Sequence, residues 1–248
     1  MSHTTEWLRG RLERFGFVAH RWPTTRFNGM TDALTLLEQR DYRPGVIIDC
    51  GANVGQWMTQ ARAVYPDAEW HLIEPQPACV EQLRSVTAAI ERVTIHPFAA
   101  TAPGPATVRM LGGGDGTGTG NFVALADEAY PDEQTAAATT LDRLLGDRLH
   151  RSDRALLKLD VEQHEIEVLQ GATQVLGAIE VVLTEVSVYD VTGRRPTFTD
   201  VLDYLHGRGF DFYDVACLSS RPRDKRLRQM DVIFVRNDSA LLSDHDWA

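Results

Sequence analysis

The chain has 248 residues, enough for one α/β domain with a sizeable core. Its 43% hydrophobic and 24% charged residues are the balance of an ordinary globular protein. A net charge of −10 and a pI near 5.2 disfavour a phosphate-backbone partner, so nucleic acid is not expected. The one local exception, RPRDKRLR from Arg221 to Arg228, reads as a solvated loop. Three widely spaced cysteines, Cys50, Cys79 and Cys217, give neither a disulfide framework nor a zinc pattern. Reducing conditions and a cytoplasmic location are therefore expected. The opening MSHTTEWLRGRLERFGF carries charges throughout and reads as neither a signal peptide nor a membrane span.

In chain order, Thr5 to Arg40 reads as helices interrupted at Pro23, a helical cap over residues 1–43. From residue 44 the pattern alternates between strands and helices. VIID (46–49) is a short apolar run, followed by GANVG and a helix reaching Val64. WHLIE (70–74) is the next strand, and Pro77 opens a helix with Val80, Leu83, Val86 and Ile90 on one face. VTIHPF and ATVRM read as short strands, and the glycine run 112–120 as a connection or a mobile lid. LLKLD (156–160) is a buried strand whose helix carries Ile166, Leu169 and Leu176. EVVLTEVSV is strand-like and Phe198 to His206 helical. FDFYDVACL and DVIFVR close the chain as an antiparallel pair. This predicts a Rossmann-like α/β domain over 44–238, a mostly parallel sheet covered on both faces, with a flexible tail over 239–248.

Four of the apolar runs end in or near a carboxylate: Asp49, Glu74, Asp160 and Glu185. Ligands of open parallel sheets bind beyond the carboxyl ends of the strands, so these acids are expected around one crevice. Acids gathered without partners favour a ligand bearing positive charge and hydroxyls. S-adenosylmethionine offers an ammonium, a sulfonium and ribose hydroxyls. Between the first two acids, Gly51 permits a tight turn and Gly55 a close approach of helix and sheet. Asn53 stands where a dinucleotide fingerprint has its middle glycine, which weakens a pyrophosphate reading. Glu74 falls near the spacing at which an acid meets ribose hydroxyls.

The segments DCGANVGQ, LIEPQP, TTLDRLL, LLKLDVEQHEIEVLQGA, TEVSVY and QMDVIFVR, in this order, resemble the motifs of the FkbM-type methyltransferases. The resemblance covers roughly residues 46–236. It implies a class I methyltransferase fold, a seven-stranded sheet with an antiparallel last strand. It also implies S-adenosylmethionine-dependent O-methylation of a sugar, polysaccharide or polyketide-type natural product. By resemblance, Asp49, Gly51, Asn53 and Gly55 line the methionine end of the cofactor and Glu74 binds the ribose. Pro75 and Gln76 shape the adenine side, with Phe98 and Ala99 also facing the base. The chain departs from the family at Gln163, where glycine is usual.

A hydroxyl acceptor needs a general base. His164 is the first candidate, against the plain alternative of an exposed histidine at a helix start. Glu185 is the second, since a carboxylate at a buried strand end has a raised pKa. Asp160 is expected to position substrate or cofactor, and Glu162 to act in the site or face solvent from the helix start. Asp160, Glu162 and Glu185 offer the oxygen ligands magnesium prefers, but no dedicated metal motif is present and no metal is assigned. Tyr189 and residues 192–198 are candidate acceptor contacts, while His71, His96, His150 and His206 read as structural or exposed. The expected partner is a small-molecule or carbohydrate acceptor, with a homodimer left open. The rival readings are a nicotinamide-dependent Rossmann enzyme and a non-catalytic cofactor-binding protein.

Overall fold

The computed structural model describes residues 29–111, 122–123, 134–190 and 196–244. Its main sheet has seven strands: β1 (Val46–Cys50), β2 (Glu69–Ile73), β3 (Val93–His96), β8 (Ala155–Leu159), β9 (Ile179–Ser187), β10 (Phe210–Ser220) and β11 (Leu227–Arg236). The inner β1, β2, β8 and β9 are buried on both faces, and the edge strands β3 and β10 are partly exposed. The strand order is β10-β11-β9-β8-β1-β2-β3. The strands β9-β8-β1-β2-β3 run parallel, and β11 is antiparallel to both β9 and β10.

Alternation along each strand divides the core between the two faces. Ile47, Leu156, Val181 and Ile233 pack with helices α1 (Met30–Gln39), α2 (Gln56–Arg62) and α3 (Pro77–Thr87), through Leu34, Leu37, Met58 and Leu83. Ile48, Leu157, Val182 and Phe234 face α4 (Leu141–Leu145), α5 (Glu165–Gln170) and α6 (Phe198–His206), through Leu145, Val168 and Val201. The expected doubly covered parallel sheet with a closing antiparallel strand is what forms.

A second sheet, of order β4-β7-β5-β6, lies beside the first. It joins β4 (Ala99–Ala100), β5 (Thr107–Leu111), β6 (Phe122–Val123) and β7 (Gln134–Thr139). The sequence pattern anticipates β5 but not β4 or β7, because QTAAAT has little intrinsic strand preference and forms only through its two partners.

Both ends of the described chain are tied to the core. Helix α1 is docked into the core through Leu34 and Leu37, and the buried Tyr65 hydroxyl donates to the Leu34 carbonyl at 3.0 Å. The remainder of the expected cap, residues 1–28, lies outside the described residues. The tail expected to be flexible from residue 239 is instead anchored as far as it is described. Ser239 Oγ donates to Glu180 Oε1 at 2.5 Å and Leu241 is buried. Glu180 is gripped by the Arg154 guanidinium at 2.6 and 3.0 Å, so the chain after β11 is tied to a half-buried ion pair. Among the described residues no helix is long and apolar enough to cross a membrane.

Candidate active site

The site starts where β1 and β8 end side by side. Gly51 follows β1 with φ +81°, and a Cβ placed there would lie 1.9 Å from the Asp160 carbonyl oxygen. Only glycine allows this approach, which locks the turn after β1 against the turn after β8. Asn53 takes a left-handed conformation, φ +47°, and its side-chain oxygen accepts the Val54 N–H at 2.7 Å. The Asn53 N–H donates to Glu74 Oε2 at 2.8 Å, and the Gln76 N–H to Glu74 Oε1 at 2.9 Å. Glu74 therefore ties the turn after β1 to the turn after β2. Burial still raises its pKa, against those two backbone donors.

Beside these turns lies a cavity of about 280 Å³. Gly51, Asn53, Glu74, Pro75, Gln76 and Ala99 line one part of it, and Asp160, Glu162, His164 and Glu185 another. Ten of the thirteen positions singled out from sequence as cofactor or catalytic candidates therefore meet there: Gly51, Asn53, Glu74, Pro75, Gln76, Ala99, Asp160, Glu162, His164 and Glu185. The other three, Asp49, Gly55 and Phe98, do not line it. Gly55 has φ +84° and approaches Leu83 of α3, so its closeness serves helix–helix packing rather than helix and sheet. The glycine run 112–120 and residues 192–195 lie outside the described residues.

Asp49 is fully buried beside Lys158, a cation the acid-cluster argument overlooked. The Lys158 ammonium sits 3.3 Å from Asp49 Oδ1 and 3.1 Å from Asp160 Oδ2, and 5.4 Å from the centre of the Trp57 ring. Burial pulls the Lys158 pKa down, but Asp49 and Asp160 hold it above the usual lysine range. The acids are therefore not unpartnered as a set: Asp49 and Asp160 share one ammonium, and Asp49 lies behind the cavity wall. A lysine inside the apolar run LLKLD was the available signal, since a buried ammonium demands a carboxylate.

The remaining carboxylates face one another with less relief. Asp160, Glu162 and Glu185 each bring an oxygen within 4.8 Å of the others, the one such potential metal-binding group among the described residues. Gln229 Nε2 donates to Glu185 Oε1 at 2.6 Å, and Asp231 stands opposite Glu185 in the β9–β11 register. Burial, then Asp160, Glu162, Asp231 and Glu165, push Glu185 up to about 8. Burial and then Asp160 raise Asp231 to about 6. Glu165, fully enclosed, is pushed up to about 8, chiefly by burial. Gln229, Asp231 and Glu165 were not singled out from sequence, because only the strand register brings the first two beside Glu185.

His164 precedes α5. Its Nε2 meets Thr101 Oγ1 at 2.9 Å, and its Nδ1 lies 3.6 Å from Glu167 Oε2. Burial lowers its pKa and Glu167 partly offsets this, so the ring is neutral near pH 7. In the preceding turn Glu162 has φ +52° and Gln163 φ +71°. The left-handed conformation at Gln163 explains why glycine suits this position, and its backbone path is now defined. Two adjacent residues held there store strain of about 1 kcal/mol or more each, as functional turns often do. His71 and His96 form a buried pair between β2 and β3, Nδ1 to Nε2 at 3.0 Å, outside the cavity lining.

A mostly parallel seven-stranded sheet with antiparallel β11, carrying a glycine turn, an acid after β2 and a cavity at its carboxyl edge, is a class I, Rossmann-like methyltransferase architecture. The chain belongs to the FkbM methyltransferase family: residues 49–212 match the model of the methyltransferase FkbM domain. It is 30% identical over 209 residues to the 31-O-demethyl-FK506 methyltransferase FkbM of Streptomyces tacrolimicus, covering 73% of this chain and 78% of the relative. It is 27% identical over 175 residues to the hexuronic acid methyltransferase AglP of Haloferax volcanii, covering 68% and 67%. Among solved structures it resembles a precorrin-6y C5,15-methyltransferase from Geobacter metallireducens. That match has 15% identity and a TM-score of 0.45, covering 82% of this chain and 87% of the other.

Proposed function

We propose that this methyltransferase moves the methyl group of S-adenosylmethionine onto a hydroxyl of a sugar, polysaccharide or polyketide-type acceptor. The observation that carries the reading is the single cavity shared by Glu74 with its glycine turn and by the carboxylates Asp160, Glu162 and Glu185. Its donor set suits the cofactor. Each Glu74 oxygen already takes one backbone N–H and keeps acceptor capacity for a ribose hydroxyl. Ile73, Ala99 and Ala100 give an apolar wall for a flat base. The acids beyond favour a cation, which a sulfonium is. The names of the two relatives, one a 31-O-demethyl-FK506 methyltransferase and one a hexuronic acid methyltransferase, support an oxygen acceptor.

Bound there, S-adenosylmethionine supplies an electrophilic methyl on a positively charged sulfur, for an in-line displacement without redox change. The chain's own residues have to hold the acceptor oxygen in line and take its proton. We assign that proton to Glu185. One of its oxygens is fixed by Gln229, and a base titrating near 8 is well matched to a hydroxyl at physiological pH. His164, the first candidate from sequence, has Nε2 engaged by Thr101 and becomes an orienting group for the cavity wall. Asp160, joined to Lys158, positions the turn.

Calorimetry with S-adenosylhomocysteine, followed by labelled-methyl transfer to rhamnosides, mannosides and macrolide alcohols, tests the reading. Glu74→Ala strips the acceptor from two backbone N–H groups and is expected to weaken S-adenosylhomocysteine binding by about tenfold or more. Undiminished affinity in that variant would place the cofactor elsewhere.

A further inference from the structure

The eight residues from Arg221 to Arg228 hold Arg221, Arg223, Lys225, Arg226 and Arg228, five of the chain's 25 basic residues, against one acid, Asp224. The whole chain carries a net charge of −10, so this basic segment opposes the field of the rest of the molecule. It is the tip of the β10–β11 hairpin, closed by the Arg221 N–H donating to the Arg226 carbonyl at 2.9 Å. Strand β11 runs antiparallel to β9, with Gln229 opposite Ser187, the last residue of β9. The tip therefore overhangs the carboxyl edge of the parallel strands, the edge that carries Asp160 and Glu185.

Four contacts fix it there. Gln229 donates to Glu185 in the cavity wall, and the Val188 N–H donates to the Arg228 carbonyl at 2.8 Å. The Arg226 guanidinium lies 4.0 Å from the centre of the Tyr189 ring, with Arg221 at 5.5 Å. A guanidinium stacked on a ring is pre-ordered and presents its N–H edge outward, the arrangement suited to an oxyanion. Arg223, Lys225, Arg226 and Arg228 are exposed. Arg228 also acts electrostatically on Glu162 in the cavity lining.

We propose that this hairpin tip binds an oxyanion, a phosphate or carboxylate group carried by the acceptor whose hydroxyl enters the cavity. The proposal rests on the methyl-transfer reading above and names the substrate class. The charge layout sorts the two ends of such an acceptor. The carboxylate-lined cavity repels an anionic group, and the basic tip beside it attracts one, so the neutral hydroxyl end is turned inward. The strand order places the tip away from the donor turn, since β8 and β9 separate β1 from β11.

The test uses the full chain with two probes, uridine diphosphate and trigalacturonate, titrated by calorimetry at low and moderate salt. At least one is expected to bind, and to weaken about tenfold between 20 and 200 mM salt as exposed charges are screened. The variant R223E/K225E/R226E, and its neutral counterpart R223Q/K225Q/R226Q, are expected to lose that affinity by about tenfold or more while keeping S-adenosylhomocysteine affinity. Whichever probe binds identifies the oxyanion as phosphate or carboxylate. Failure of both probes, salt-insensitive binding, or full affinity in the variants overturns the proposal. If wild-type protein fails to bind S-adenosylhomocysteine, the methyl-transfer reading falls, and that result is read separately from the anion titration.

Discussion

Replacing Glu185 by glutamine keeps the side chain's size and its capacity to accept from Gln229 while removing the ionisable group. In the wild-type protein the group titrates near 8 because burial and four neighbouring carboxylates disfavour its charge. About one-tenth of it is then ionised at pH 7 and about nine-tenths at pH 9, so turnover limited by this base rises about tenfold across that interval. Glu185→Gln is expected to lower kcat/KM by about 10² to 10⁴, or about 3–5 kcal/mol in the barrier, and to flatten that rise. The assay is labelled-methyl transfer to an acceptor from the panel between pH 6 and 9.5, with S-adenosylhomocysteine titrations to verify the donor pocket. A variant within about threefold of wild type at every pH would refute the assignment and return His164 to first place. Folding gives an independent check. The folded pKa lies above the unfolded value of 4.5, so the contribution of Glu185 is full below about pH 4.5 and is lost as pH rises through about 8. The variant's Tm should match wild type near pH 4.5 and exceed it at pH 8.

Lys158→Met leaves Asp49 buried without its counter-ion and should cost about 3–5 kcal/mol in denaturant unfolding. Adding Asp49→Asn should recover most of that loss, and an equally unstable double variant would contradict the pairing. Burial and then His96 lower His71 to about 4 from 6.5. Its neutral form therefore stabilises the fold above about pH 6.5, and that contribution, at most about 3 kcal/mol, is lost as pH falls towards 4. Thermal scans should show this acid-side loss in wild type and not in His71→Gln. Turnover should survive exhaustive chelation, because Glu185 is assigned to the proton; activity lost to EDTA and restored by magnesium would reassign Asp160, Glu162 and Glu185 to a metal.

The sheet was legible because VIID, WHLIE and LLKLD are short apolar runs whose polar ends mark the carboxyl edge. That same edge points Glu74, Asp160 and Glu185 towards one crevice, and all three line the cavity. The pattern could not show which acids face the cavity. Asp49 stands at a strand end like the others, yet points to Lys158, a partner on the neighbouring strand that only the β1–β8 register reveals. The same limit hid Gln229 and Asp231, which reach Glu185 from the last strand of the chain. Strand β7 was hidden for a different reason. Its alanines carry little preference of their own, and its pairing with β4 and β5 is set by the fold around it.

The geometry also links the two halves of the cavity mechanically. Gly51 can approach the Asp160 carbonyl only because it has no side chain, and the Asp160 N–H donates to the Cys50 carbonyl at 3.0 Å. The turn that holds Glu74 through Asn53 and the turn that carries Glu162 and His164 are thus one unit pinned across β1 and β8. Lys158 pins it again from below by holding Asp49 of one strand and Asp160 after the other. The strained residues Glu162 and Gln163 sit directly beyond that pin, where a rigid anchor can sustain a conformation the chain alone would abandon. Burying one ammonium between two carboxylates gives little stability by itself. Here it holds the Asp160 turn against the turn after β1, and leaves Glu162 and Glu185 to burial and neighbouring acids, which raise the pKa of both on the side that faces the cavity.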